Sequence, residues 1–96
     1  MNKSVFESEL NKIISLSKEY GAQNVWLFGS CLEDIESARD IDIAVAGIKP
    51  EKFFELYGKI SGAIEAELDL FPLEDVREHF AKRILETGRL LYEKKI

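Results

Sequence analysis

Only residues 29–39 separate two short apolar segments, and that brevity constrains the fold more than any other feature of the chain. The first segment, Asn24-Val25-Trp26-Leu27-Phe28, is too short and too bulky for a helix and reads as a buried strand. The second, Asp40–Ala46, alternates: Ile41, Ile43 and Val45 fall on one side, Asp40 and Asp42 on the other. A parallel crossover needs about a dozen residues or more, so these two strands are expected to run antiparallel. The Gly29-Ser30 break that ends the first strand then lies beside Asp40 and Asp42 at the start of the second. Residues 31–38 read as a loop or one helical turn.

The flanking segments complete an alternating order of helices and strands. Ser4-Val5-Phe6-Glu7 has capping-box spacing, with Ser4 as N-cap and Glu7 at N3. Phe6, Leu10, Ile13, Ile14 and Ser17 follow at helical spacing, and Gly21 stops the helix. Pro50 suits the first turn of a second helix, with Phe53, Phe54, Tyr57, Ile60 and Ile64 along one side. Residues 65–71 alternate as a third strand that Pro72 ends. Residues 75–87 form a last helix with Val76, Phe80 and Ile84 inward, stopped by Gly88, and 89–92 form a short edge strand. The helix between the second and third strands makes a right-handed crossover, so that pair is parallel. On the third strand Ala66, Leu68 and Leu70 face one way and Glu67, Asp69 and Phe71 the other, which brings Asp69 toward Asp40 and Asp42. The expected architecture is α/β (α+β), a small mixed sheet with helices packed on it, in a single domain over 1–96.

Charge narrows the function. Over 33–42 five acids face one base, Arg39, and carboxylates two residues apart on a strand stand about 6–7 Å apart and repel. The formal charge is −5: residues 1–48 hold eight acids and four bases, and residues 49–96 hold ten and nine. So acidic a chain is a poor general nucleic-acid binder, because phosphate neutralisation supplies most of that affinity. Within 76–96 bases outnumber acids six to three, which fits a nucleotide-facing surface, a contact for an acidic partner, or a solvated helix face. No apolar run reaches the ~18–20 residues of a membrane span, and the polar start MNKSVFESEL is no signal peptide. A single cysteine, Cys31, excludes an internal disulfide and fits a cytoplasmic home. Pairing with a second copy of the chain is compatible with all of this.

Hard oxygen ligands in a cluster suit Mg²⁺, which combines carboxylates with substrate phosphates. Two such ions about 3.5–4 Å apart activate an attacking oxygen and stabilise a leaving one at phosphorus. Gly29 lacks a Cβ, so a phosphate can approach its backbone, and Ser30 adds a hydroxyl. Asp40, Asp42 and Asp69 are thus the expected metal ligands, and Gly29 and Ser30 the expected phosphate cradle. Cys31 lacks the neighbouring base that a nucleophile needs and reads as structural, and His79, a single histidine that makes no zinc site, reads as part of a solvated helix face.

These residues carry a resemblance. "LFGS" at 27–30, "RDIDIAV" at 39–45 and "ELDLFPLEDV" at 67–76 resemble the minimal nucleotidyltransferases of the polymerase-β-like superfamily, and the closing "ILETGRLLYE" is similar to that family's ending. The resemblance implies transfer of a nucleoside monophosphate, AMP from ATP, with release of pyrophosphate. It also implies catalytic roles for Asp40, Asp42 and Asp69 and two Mg²⁺ ions bound with the nucleotide. Short stand-alone members act as antitoxins of HEPN-domain proteins, and some adenylylate a tyrosine of that partner. Many relatives follow Gly-Ser with a basic residue and a further glycine, where this chain has Cys31, Leu32 and Glu33. Arg39 or a C-terminal base is expected to supply the missing cation. The alternative is a catalytically inactive module of the same fold that neutralises a partner by contact.

Overall fold

A computed structural model describes residues 1–95. The elements run α1 (Lys3–Glu19), β1 (Asn24–Phe28), a 3-10 turn (Gly29–Leu32), β2 (Asp40–Ala46), α2 (Pro50–Ala63), β3 (Glu67–Pro72), α3 (Glu78–Thr87) and β4 (Arg89–Glu93). The sheet order is β3-β2-β1-β4. β1 pairs antiparallel with β2 and with β4, and β2 pairs parallel with β3. This is the mixed sheet that the short 29–39 connection and the helical crossover predict.

The two faces of the sheet are covered differently. Val25, Leu27, Ile41, Ile43, Val45, Leu68 and Leu70 point to a core shared with Phe6, Leu10 and Ile13 of α1 and Phe53, Leu56 and Ile60 of α2. On the opposite face lies α3, whose Phe80 meets Phe28 and Phe71 at centroid distances of 5.8 and 5.7 Å. Phe28 and Phe71 are themselves 5.7 Å apart. That second face carries the polar alternates of β2 and β3.

Local chemistry moves several element ends from where sequence spacing puts them. The N-cap of α1 is Asn2, whose Oδ1 accepts from Val5 N–H at 2.8 Å, and Ser4 lies inside the first turn. Asn caps at least as well as Ser, and the α-ammonium of Met1, donating to Glu36 O at 2.9 Å, holds the chain ready for the earlier start. At the other end Gly21 takes φ +89°, Ala22 N–H donates to Ser17 O at 2.9 Å and Gly21 N–H to Lys18 O at 3.0 Å, a Schellman closure. On α2 the core stripe is Phe53, Leu56 and Ile60, flanked by Tyr57 and Ile64. Phe54 is 79% exposed because one residue on from Phe53 is a rotation of about 100°. Asp75 N–H closes a turn on Pro72 O at 2.9 Å, so α3 begins at Glu78 and leaves Val76 half-buried before it.

β3 begins at Glu67, two residues later than its alternation, because a side chain takes the preceding amides. Glu9, 3% exposed on α1, accepts Glu65 N–H at 2.8 Å and Ala66 N–H at 3.4 Å through Oε1. Lys12 Nζ lies 3.7 Å from its Oε2. This carboxylate joins the first helix to the strand that bears Asp69. Replacing Glu9 with Ala leaves both amides without their acceptor, and we expect urea unfolding to show a loss of about 1–3 kcal/mol. Glu9→Gln keeps the acceptor oxygen and is expected to lose the smaller part of that.

Candidate active site

Strand register builds the site. Phe28 is the register partner of Asp42 across β1 and β2, and Asp42 is the partner of Asp69 across β2 and β3. Directly paired residues share a face, so Asp69, Asp42 and Phe28 form one row on the α3 side. Asp40 precedes Asp42 on the same face and pairs with Glu67. Asp40 and Asp42 are half-buried, and Asp69, on the edge strand, is exposed. The structure thus brings the three aspartates to one end of the sheet.

The Gly29-Ser30 turn closes this end. Gly29 takes φ +80°, and a Cβ there would overlap the Asp42 carboxylate at Oδ2. Glycine is therefore required twice, for the left-handed backbone and for the close approach of Asp42. Cys31 holds the turn against β2, its buried thiol donating to Asp40 O at 3.1 Å. Burial, then the charges of Asp42 and Asp40, push that thiol's pKa up, so it is a structural tether and a poor nucleophile. Asp34 orders the rest of the connection by accepting from the N–H of Glu36 and from the N–H and hydroxyl of Ser37.

The carboxylates are electrostatically frustrated. Asp42 is pushed up to about 6, first by burial, then by the charge of Asp69, a hydrogen bond shared with Asp69, and the charge of Asp40. The repulsion from Asp69 and Asp40 is the part that a cation would relieve. Among the described residues no group of three His, Cys, Asp or Glu side chains is gathered into a metal cage. The paired Asp42 and Asp69 instead offer an open carboxylate edge. Such a donor set suits Mg²⁺, whose remaining ligands are phosphate oxygens and water.

Next to the turn is a cavity of about 640 Å³, lined by Phe28, Gly29, Ser30, Glu33, Phe80 and Arg83 among others. Arg39 is elsewhere, in a groove with Glu9, Glu65 and Ala66, because it alternates away from Asp40. Among the described residues the cation that lines the cavity is Arg83. Phe80, Arg83, Ile84 and Thr87 line it at i, i+3, i+4 and i+7, a helical stripe that residue spacing alone would have picked out. Lys82, one position away, is 75% exposed and paired with Glu86 at 3.9 Å. The basic C-terminal stretch is thus divided between a solvated side and a cavity side.

Residues 11–96 match the family described as polymerase beta, nucleotidyltransferase. A crystal structure of a toxin-antitoxin with AMP-PNP is 27% identical, with a TM-score of 0.74 over 88% of this chain and 73% of that one. A rebuilt structure of a tri-AMPylated Shewanella oneidensis HEPN toxin in complex with MNT antitoxin is also 27% identical, with a TM-score of 0.72 over 92% and 72%. A structure of a minimal nucleotidyltransferase shares the fold at 21% identity, with a TM-score of 0.75 over 93% and 95%. No curated protein matches the chain.

The raised Asp42 pKa sets a pH dependence for the metal-free protein. An unfolded aspartate ionises near pH 4, whereas Asp42 in the fold ionises at about 6. Between those values the folded protein holds the extra proton, so its stability falls as pH rises from about 4 through about 6. A half-buried group is partly screened, so the expected penalty at neutral pH is about 1 kcal/mol. Asp42→Asn is expected to recover it at pH 7 in chelator and to recover nothing at pH 4, measured by urea unfolding. A loss of several kcal/mol at both pH values would mark Asp42 as a structural hydrogen-bonding residue.

Proposed function

Because the chain belongs to the polymerase beta nucleotidyltransferase family, we propose that it is a Mg²⁺-dependent adenylyltransferase that modifies a HEPN-domain partner and thereby acts as its antitoxin. The observation that carries this reading is the Asp69–Asp42–Phe28 row closed by Gly29. It places crowded carboxylates against a bare stretch of backbone beside a cavity of about 640 Å³. Bound Mg²⁺ would supply charge stabilisation at the phosphates and align the attacking oxygen with the leaving one.

The chain's own residues account for the remaining work. Gly29 lets the α-phosphate approach the backbone, and the Ser30 hydroxyl donates to a phosphate oxygen. A hydroxyl oxygen of the acceptor attacks the α-phosphorus, and a new O–P bond forms as the bond from that phosphorus to the bridging oxygen breaks. Pyrophosphate leaves with the bond's electron pair. Asp69, on the exposed edge strand, is the carboxylate an incoming protein meets first, and it takes the hydroxyl proton. Asp40, Asp42 and Asp69 would together hold the metal.

The neighbouring complexes support the choice of acceptor: one holds AMP-PNP, and another pairs an MNT antitoxin with an AMPylated HEPN toxin. The chain itself has apolar side chains free to meet a partner. Phe54 is 79% exposed, Leu85 52% and Leu90 45%.

The test mixes the chain with its HEPN-domain partner, Mg²⁺ and α-labelled ATP. Label is expected on the partner, and Asp40→Asn, Asp42→Asn and Asp69→Asn are each expected to reduce it by about 10²-fold or more, the usual cost of losing a group that stabilises developing charge. Silencing of the partner should be lost with the label. Silencing that survives Asp42→Asn without any label would establish instead the inactive module that acts by contact.

A further inference from the structure

The aspartates account for one side of the Gly29-Ser30 turn and leave the other unexplained. Neither Asp40, Asp42 nor Asp69 lines the 640 Å³ cavity, whereas Gly29 and Ser30 do. The turn is therefore a boundary, with Asp42 pressed against Gly29 on one side and an open cavity on the other. A phosphorus held at the carboxylates would carry its further phosphates across that boundary.

Among the described residues two charged ones line the cavity, Glu33 and Arg83. Arg83 is exposed, and among the described residues the ion pairs are Lys12–Glu9, Lys52–Glu55 and Lys82–Glu86, none of which engages it. Its place is fixed by the helix that bears it. Phe80, one turn earlier, is locked edge-on against Phe28 and Phe71. At the helix end Gly88 comes so close to β1 that a Cβ would lie 3.1 Å from Leu27 O and 2.5 Å from Ile84 O. The chain also lacks a basic residue after Ser30, where Cys31, Leu32 and Glu33 follow.

The geometry points to Arg83 as the residue that binds the terminal phosphates of the nucleoside triphosphate, and hence the departing pyrophosphate, from a helix remote in sequence from the Gly-Ser turn. This rests on the nucleotidyltransferase reading above. A guanidinium suits the role because its fork of donors meets two phosphate oxygens at once. Glu33, lining the same cavity, opposes it and weakens the hold on the triphosphate end.

The test is calorimetric titration of the full chain with inorganic triphosphate and, separately, with AMP, both with Mg²⁺. Arg83→Gln is expected to weaken inorganic triphosphate by about 10-fold or more, the range of one charge-assisted hydrogen bond, and to leave AMP within about twofold. Arg83→Lys should restore part of the loss, since it keeps the charge without the fork. Glu33→Gln should tighten inorganic triphosphate several-fold. Thermal midpoints equal to the parent's would show that the fold is intact. Unchanged triphosphate binding in Arg83→Gln overturns the assignment, as does an equal loss of AMP. A parent that binds AMP but no inorganic triphosphate overturns it too. A parent that binds neither overturns the nucleotidyltransferase reading and this one with it.

Discussion

Asp42 stands where three constraints meet: antiparallel register to Phe28, parallel register to Asp69, and a glycine whose missing side chain makes room for its carboxylate. The rest of the architecture is arranged to tolerate that position. Packing like charges on one face of a strand costs free energy, and here the same strand offsets the cost on its other face. Ile41, Ile43 and Val45 are fully buried, each contributing about 1.5–3 kcal/mol of burial. The stability of β2 and its chemistry therefore reside on opposite faces of one strand. A register slip of one residue would exchange the two and lose both.

This division explains which features the sequence made legible. The alternation in Asp40–Ala46 records burial on one face only, and the 29–39 connection is too short for any crossover, so strand directions follow directly. The crossover through α2 fixes the parallel neighbour and with it the row that joins Asp42 to Asp69. These deductions need only periodicity and chain length, which tertiary context rarely overrides.

The features that escaped are those decided by contacts between distant residues. Nothing local favours Asn2 over Ser4 as a cap until Met1 is tethered to Glu36. Glu9 reads as an ordinary surface acid of an amphipathic helix, yet it is buried because two amides 56 and 57 positions away require an acceptor. Phe54 looks apolar enough for the core, but one position of helix rotation turns it to solvent while Leu56 takes the inward place. Arg39 adjoins the acidic pair in sequence, and strand alternation for that very reason sends it to the opposite face.

The same logic bears on how so acidic a chain could hold the nucleotide proposed for it. A net charge of −5 repels phosphate at long range, so attraction has to be local. Near the turn the negative charge is concentrated in Asp40, Asp42 and Asp69, where it lifts the pKa of Asp42 and creates demand for a cation. On the other side of the turn Arg83 presents positive charge from α3, which the aromatic contacts of Phe28, Phe71 and Phe80 hold in place. A base beside Ser30 would add a cation within the turn itself, close to the crowded carboxylates. Placing the cation on a separate helix puts it across the Gly-Ser turn from the three aspartates, in a cavity where the acid it meets is Glu33.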